Sequence, residues 1–211
     1  MRKVYSKIIE HYENCLEKHG DNHLGVDWPN LDDVDKRYKI MLDIIKLNEE
    51  NGNIVSLLDF GCGTSHLLEY IKKNKVEKIL YSGLDISQKF IDVAKKKYPN
   101  NSFYCIDILD LGVEIKSFDY IVMNGVFTEK RELTFDEMWE YFTKMITIIY
   151  EKCNKGFAFN VISKNVDWER DDLFHVSQDL LGDFISENLT RNYIIRNDYG
   201  LYEYTVYVLK K

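Results

Sequence analysis

The 211-residue sequence has only 2 prolines and 11 glycines, so it is neither a collagen-like chain nor a proline-rich linker. None of its 4 cysteines forms a CxxC pair, which argues against a zinc knuckle. No apolar run approaches the roughly 18 residues that span a bilayer, and the charged N-terminal stretch has no signal-peptide core. These absences predict a protein of the reducing cytoplasm, with free thiols and no membrane association.

The sequence also lacks an excess of basic residues. Its formal net charge is −7, whereas proteins that bind nucleic acid usually present a basic face. Aromatic residues make up 14% of the chain and supply the buried area that offsets the entropy of ordering it. We therefore expect a folded protein whose partner is a small molecule or a sugar, not a nucleic acid. The oligomeric state is left open.

Strand-like and helix-like segments alternate from about residue 54 onward. Short apolar runs end near residues 60, 84, 106, 123 and 162, and amphipathic segments separate most of them. Two last strand-like segments, 193–196 and 202–209, are close enough to pair in antiparallel orientation. The alternation predicts an α/β fold with a doubly wound, mostly parallel seven-stranded sheet and an antiparallel C-terminal hairpin. We expect one domain, 1–211, in which a helical cap (1–50) covers the core (51–211) as a lid.

Acidic residues and glycines follow the first three predicted strands. Asp59 ends the first strand and is followed by Gly61 and Gly63, which open a helix. Asp85 ends the second strand, 22 residues after Gly63, at the spacing of a carboxylate that binds a ribose diol. Asp107 follows the third strand and suits an adenine amino group. Because ligands of parallel sheets bind at the carboxyl ends of strands, these residues predict a nucleoside site.

The glycine pattern departs from two phosphate-binding motifs. A dinucleotide fingerprint requires a third glycine where this sequence has His66, and no P-loop lysine follows. A ligand with ribose and adenine but no phosphate therefore fits the pattern better than a dinucleotide does.

The segments LLDFGCGTS, SGLDIS, CIDILD and FDYIVMN together resemble the class I, seven-stranded S-adenosylmethionine-dependent methyltransferases, which have a Rossmann-like fold. The resemblance runs from about residue 54 to the end of the sequence. It implies S-adenosyl-L-methionine as the cofactor, with the glycine loop around its methionine moiety and Asn124 beneath the sulfonium. The family's loop often reads GxGxG, and this sequence departs from it at Ser65. Flanking segments, HGDNHLGVDWP, KGFAFN and DYGLYEYT, resemble small bacterial methyltransferases of surface-polysaccharide biosynthesis.

Ten residues are expected to bind the cofactor. Arg37 is included because a guanidinium fork on the helix before the first strand could clamp the cofactor carboxylate, although it could also pair with Asp33 on the surface. The predicted cofactor-binding residues are Arg37, Asp59, Gly61, Cys62, Gly63, Asp85, Ile86, Asp107, Ile108 and Asn124.

The acceptor side is predicted from side-chain chemistry alone. Histidines, a glutamate and an asparagine near the predicted strand ends could act on the acceptor, and aromatic rings near the cofactor mouth could bind it. The catalytic candidates are His11, His23, Glu129, Asn160 and His175. The substrate-binding candidates are Tyr12, Trp28, Phe127 and Tyr199. The sequence has no cluster that demands a metal, so metal independence is predicted.

The resulting hypothesis is methyl transfer by in-line displacement to an oxygen of a small molecule or sugar, such as a capsule or lipopolysaccharide precursor that could contain phosphorus. A general base is needed only if the nucleophile is a hydroxyl of high pKa. Two alternatives stay open: an NAD-dependent oxidoreductase on a similar fold, and a non-catalytic protein that binds S-adenosylmethionine.

Overall fold

The computed structural model describes residues 5–48 and 52–210. Within these residues six α-helices, one short 3₁₀ turn (His23–Val26) and eight strands follow one another. The helices are α1 Ser6–His19, α2 Leu31–Asn48, α3 His66–Lys73, α4 Gln88–Lys97, α5 Phe135–Lys152 and α6 Gln178–Asn188. The strands are β1 Val55–Phe60, β2 Ile79–Asp85, β3 Ser102–Cys105, β4 Phe118–Phe127, β5 Cys153–Ser163, β6 His175–Val176, β7 Tyr193–Arg196 and β8 Glu203–Leu209. Val4, which its helical spacing with Ile8 and Tyr12 would place on the first helix, lies outside the described residues.

The strands form one sheet in the order β3-β2-β1-β4-β5-β8-β7. All pairs are parallel except those that β8 makes with β5 and β7. The predicted α/β fold with a mostly parallel sheet and an antiparallel C-terminal hairpin is confirmed. The two-residue strand β6, which pairs with the end of β5, was not predicted, because two residues carry no periodic signal.

Helices cover both faces of the sheet, since successive strand residues point in opposite directions. On β4, Ile121 and Met123 pack in the cluster that contains α5 and α6, whereas Tyr120 and Val122 pack in the cluster that contains α2 and α3. Nearly continuous burial along β4 explains why its sequence reads as an unbroken apolar run. Among the described residues no helix is long and apolar enough to cross a membrane.

Helix α1 extends across the carboxyl edge of the sheet and is tied to it by three hydrogen bonds. The hydroxyl of Tyr5 donates to Asp107 after β3, and the hydroxyl of Tyr12 donates to a backbone carbonyl at the end of β4, over 3.3 Å. Glu13 accepts a bond of 2.6 Å from the hydroxyl of Ser87, after β2. These contacts place the N-terminal segment directly over the strand ends where the sequence predicts a ligand. Its role as a lid that excludes water stays a prediction.

Candidate active site

A cavity opens at the carboxyl ends of β1, β2, β3 and β4, and the N-terminal segment closes it from above. Its walls are mostly apolar, with a few polar groups, as is usual for a small-molecule site. The lining residues include Tyr5, Ile8, Ile9, Tyr12, Val26, Trp28, Phe60, Gly61, Gly63, Asp85, Ile86, Ser87, Phe90, Asp107, Ile108, Asn124, Gly125 and Tyr141. Seven of the ten predicted cofactor residues line it: Gly61, Gly63, Asp85, Ile86, Asp107, Ile108 and Asn124.

The loop after β1 has backbone conformations that favour glycine. Gly61 has φ of +72°, and a Cβ atom there would lie 2.5 Å from a methyl group of Val126. Ser65 also has a left-handed φ, +67°, which explains why related loops carry glycine at this position. The loop thereby presents its backbone, rather than side chains, to the cavity.

Asp85 is fixed in place by backbone groups of two loops. Its carboxylate accepts hydrogen bonds from the N–H of Gly63 and from the N–H of Ser87, each 2.9 Å long. Burial raises the pKa of Asp85, while these backbone bonds oppose the rise. Each carboxylate oxygen has two lone pairs, so the group can still accept bonds from the hydroxyls of a ribose.

Asp107 marks the other end of the cavity. Its carboxylate accepts a hydrogen bond from the Tyr5 hydroxyl and one of 3.0 Å from the N–H of Leu109. The apolar side chains of Ile106 and Ile108 flank it on the cavity wall. An acidic group beside apolar side chains is suited to a flat heterocycle with an amino substituent.

Asn124 presents an unsatisfied amide at the wall of the cavity. Neither its side-chain oxygen nor its side-chain nitrogen has a hydrogen-bond partner within the described part of the chain, although both atoms are buried. Buried polar groups are nearly always paired in folded proteins, so an unpaired amide at a cavity wall indicates a polar ligand. The residues present therefore fit a ligand with an adenine, a ribose and a polar tail.

Comparison with known proteins identifies the class of this site. The model of a family described as a methyltransferase domain matches residues 58–147, which contain the glycine loop, Asp85, Asp107 and Asn124. The chain carries a methyltransferase domain. It is also 28% identical over 160 residues to Rv1506c of Mycobacterium tuberculosis, which is named as a candidate methyltransferase; the match covers 74% of this chain and 93% of the relative.

Two solved structures share the fold of this methyltransferase at low sequence identity. One is the magnesium protoporphyrin IX methyltransferase of Synechocystis PCC 6803 with bound SAM, with a TM-score of 0.67 and 13% identity over 100% of this chain and 99% of that one. The other is the plantazolicin methyltransferase with a substrate analogue and SAH, with a TM-score of 0.65 and 16% identity over 99% of each chain. Together with the domain match, they confirm the predicted S-adenosylmethionine-dependent enzyme class and favour it over the NAD-dependent alternative.

Three predicted cofactor residues lie away from the cavity of the methyltransferase. Asp59 points to the opposite face of the sheet, where it accepts a 2.7 Å bond from the hydroxyl of Tyr81. The thiol of Cys62 packs against Gly83 of β2. Arg37 forms a bidentate ion pair with Glu203, instead of the clamp on the cofactor or the surface pair with Asp33 that the sequence suggested.

The carboxyl group of Asp59 is expected to make stability depend on pH. Burial raises its pKa to about 7, so the folded state holds a proton that the unfolded state has lost above pH 4. Stability should therefore fall as pH rises from 4 to 7. Asparagine does not titrate, so the free energy of unfolding of Asp59→Asn, taken relative to the wild type, should be about 2 to 3 kcal/mol higher at pH 8 than at pH 5. Urea unfolding at both values measures this gain, and Asp92→Asn, at an exposed site on α4, is the control. If the difference in unfolding free energy between variant and wild type is the same at pH 5 and pH 8, the raised pKa of Asp59 is contradicted.

The predicted aromatic residues divide into two groups. Tyr12 and Trp28 line the cavity beside Gly125. Phe127 does not: it is fully buried among Phe142, Phe159 and Tyr141, because it faces the α5 side of the sheet. The hydroxyl of Tyr199 lies 2.9 Å from that of Thr205, and its ring packs in the α2 cluster. Of the four predicted aromatic residues, the two that line the cavity therefore both belong to the N-terminal segment.

Two catalytic candidates lie just outside the wall formed by Tyr12 and Trp28. His11 precedes Tyr12 on α1, and its Nε2 atom lies 2.7 Å from a carboxylate oxygen of Asp27. Glu129, which is buried, is paired with Arg131 over 3.1 Å. Burial raises the pKa of Glu129, and the neighbouring guanidinium opposes that rise. Both candidates are thus close to the cavity without lining it.

The other three catalytic candidates make structural hydrogen bonds. His23 Nδ1 lies 2.6 Å from the carbonyl oxygen of Trp28. His175 is buried with both ring nitrogens engaged, by the N–H of Arg170 and the carbonyl of Ser163. Asn160 is buried behind the cavity and bonds the N–H of Gly125 over 2.7 Å. None of these side chains reaches the cavity.

One group of side chains resembles a set of metal ligands. Donor atoms of His11, Cys15 and Asp27 lie within 4.8 Å of one another. However, the 2.7 Å between His11 and Asp27 is a hydrogen-bond distance and is shorter than the about 3.3 Å that separates nitrogen and oxygen ligands of a tetrahedral zinc ion. We interpret the pair as hydrogen bonded, and metal independence stays a prediction.

The sequence interpretation missed several walls of the cavity. Tyr5, Ile8, Ile9 and Val26 belong to the N-terminal segment, and Phe90 belongs to α4. The apolar residues among them appear in the sequence only as ordinary helix stripes. Nothing in the local pattern distinguishes a stripe that packs in the core from one that covers a ligand.

Proposed function

We propose that this methyltransferase transfers a methyl group to a hydroxyl oxygen of a small, sugar-like acceptor by in-line displacement. The observation that carries the oxygen acceptor is the hydrogen-bonded pair of His11 and Asp27, just outside the cavity wall. S-adenosylmethionine, when bound, supplies a methyl group on a sulfonium, which needs no further activation. A hydroxyl acceptor, in contrast, needs help to lose its proton.

The chain's own residues suffice to orient the cofactor in the cavity. Asp85 would bind the ribose hydroxyls, and Asp107 with Ile108 would bind the adenine. The glycine loop and Asn124 would hold the methionine end. The acceptor would bind beside Tyr12 and Trp28. Holding the reactants in line contributes on the order of 7–11 kcal/mol of the barrier reduction.

His11 acts as the general base in this proposal, and Asp27 orients it. When Nε2 of His11 donates to the Asp27 carboxylate, Nδ1 is left as the proton acceptor. The same arrangement stabilises the imidazolium that forms after proton transfer. Asp27 is held for this role by a left-handed backbone, φ +56°, at the end of the short 3₁₀ turn His23–Val26.

The charged side chains near Asp27, the hydrogen-bond partner of the proposed general base, support a polyhydroxy acceptor. Arg131 bridges Glu129 and Asp172, at 3.1 and 3.4 Å, and Arg170 also pairs with Asp172. Alternating donors and acceptors of this kind suit a ligand that both donates and accepts hydrogen bonds. The resemblance of the flanking segments to polysaccharide methyltransferases also supports a sugar. Capsule and lipopolysaccharide precursors are therefore the first acceptors to test.

The test is a transfer assay with S-adenosylmethionine that is isotopically labelled on the methyl group. Purified full-length chain is incubated with nucleotide sugars, phosphorylated sugars, a porphyrin and a thiazole/oxazole peptide, and products are analysed by mass spectrometry. The expected result is one labelled methyl group on a sugar hydroxyl. Labelling of nitrogen alone would contradict the oxygen acceptor. Tight S-adenosylhomocysteine binding without transfer to any member of the panel or to a cell extract would favour the non-catalytic alternative.

A further inference from the structure

A ring of contacts connects α2 to Gly125, near the end of β4. It begins at Arg37, whose Nε lies 3.0 and 3.1 Å from the two carboxylate oxygens of Glu203 and whose terminal nitrogen lies 2.9 Å from one of them. Glu203 is 4% exposed and Arg37 is largely buried. A buried carboxylate is costly unless it is paired, so this pair is held tightly.

Glu203 determines how the amide of Asn160 is oriented. Nδ2 of Asn160 donates to Glu203 over 3.0 Å, and Oδ1 of Asn160 accepts the N–H of Gly125 over 2.7 Å. A carboxylate can only accept hydrogen bonds. The nitrogen of the Asn160 amide must therefore face Glu203, and its oxygen must face Gly125.

The second half of this ring of contacts passes through the indole of Trp28. The guanidinium carbon of Arg37 lies 5.2 Å from the centre of the Trp28 ring, within range of a cation–π interaction. The same ring packs on Gly125: a Cβ atom at Gly125 would lie 3.3 Å from it. Gly125 thus touches both Asn160 and Trp28. The residue before it is Asn124, which lines the cavity and whose side-chain amide is buried without a hydrogen-bond partner in the described part of the chain.

We infer that Arg37, Glu203 and Asn160 are positioning residues that hold Asn124, Gly125 and Trp28 at the methyl-transfer end of the cavity. They line no part of the cavity and act through these three neighbours. Apolar side chains of similar size can replace a buried ion pair with little loss of stability, so stability alone does not require charge here. The inference rests on the proposed function, because it assigns the Asn124 end of the cavity to the methionine part of the cofactor.

Glu203→Gln tests the positioning role. Glutamine keeps the size of the side chain but can donate to Asn160 as well as accept from it, so the orientation of the Asn160 amide is no longer forced. We expect S-adenosylhomocysteine to bind about tenfold more weakly, the equivalent of one ordinary hydrogen bond. Adenosine, which lacks the methionine part, should bind within twofold of its wild-type affinity, since Asp85 and Asp107 are untouched.

The measurement is titration calorimetry of both ligands, with circular dichroism and thermal melting as checks of folding. Glu187→Gln on α6, which is exposed, is the matched control and should change neither affinity. Arg37→Lys keeps the charge but loses the bidentate geometry, and it should show the same selective loss at smaller size. If Glu203→Gln fails to fold, Arg37→Lys carries the test.

The outcomes separate this inference from the proposed function. Equal weakening of both ligands indicates a structural role and overturns the inference, as does no change in either. In both cases the wild type still binds S-adenosylhomocysteine, and the proposed function stands. Failure of the wild type to bind S-adenosylhomocysteine overturns the proposed function and the inference together.

Discussion

Asp85→Asn is expected to weaken S-adenosylhomocysteine binding by about 10- to 100-fold. Hydrogen bonds to a charged group contribute about 1.5–3 kcal/mol each, and the change removes the charge while it keeps the shape. The Asp85 carboxylate is held by the backbone N–H groups of Gly63 and Ser87, so its remaining lone pairs are already aimed at the cavity. Asparagine replaces one carboxylate oxygen by an NH₂ group. This group cannot accept a hydrogen bond from the backbone N–H donor that faces it. Titration calorimetry with the full-length chain measures the loss.

Asp92→Asn is the matched control for the change at Asp85. It makes the same chemical change on the exposed surface of α4, seven residues after Asp85, and should leave affinity within twofold. An Asp85→Asn protein that folds and binds with wild-type affinity would show that the ribose is held by other groups. The assignment of the two ends of the cavity would then have to be reversed or abandoned.

His11→Gln is expected to lower kcat by about 10² to 10⁴, the usual contribution of a general base. Glutamine can keep the hydrogen bond to Asp27 but cannot take up a proton. Since His11 lies outside the cavity wall, affinity for S-adenosylhomocysteine should be unchanged. The measurement is turnover at saturating cofactor on the sugar acceptor that the transfer assay identifies, together with calorimetry of cofactor binding.

His19→Gln, on the last turn of the same helix, is the control for the change at His11 and should leave kcat within twofold. Full turnover by His11→Gln would sink the general-base role. Glu129, whose buried carboxyl has a raised pKa, would then be the next residue to change. An acceptor oxygen that is already ionised, such as that of a phosphate, would need neither residue.

The local sequence was enough to predict the fold and to identify four residues that line the cavity at the strand ends. Gly61, Gly63, Asp85 and Asp107 each follow a strand, and in a parallel sheet all carboxyl ends meet at one edge. The alternation of segments therefore brought these residues together before any tertiary contact was known. Thr134 and Glu137 likewise form the capping box that their spacing predicts.

Asp59 shows where that reasoning stops. It ends a strand as Asp85 does, but consecutive strand residues point to opposite faces, and it is Phe60 that reaches the cavity. An unbroken apolar strand such as β1 has no alternation from which to read the facing direction. The mistaken placement of Phe127 has the same origin, since β4 is buried on both faces.

The long-range contacts around the cavity were decided by tertiary structure alone. Arg37 pairs with a glutamate 166 positions away, and Tyr5 bonds an aspartate 102 positions away. A charge pattern in sequence identifies only near neighbours as ion-pair partners, which is why Asp33 was the one protein partner considered for Arg37, beside the cofactor carboxylate. The sequence by itself thus determined which strand ends line the cavity. Packing of α1 over those ends and of α2 against one face of the sheet, driven by burial of their apolar stripes, decided which distant side chains stand beside the cavity.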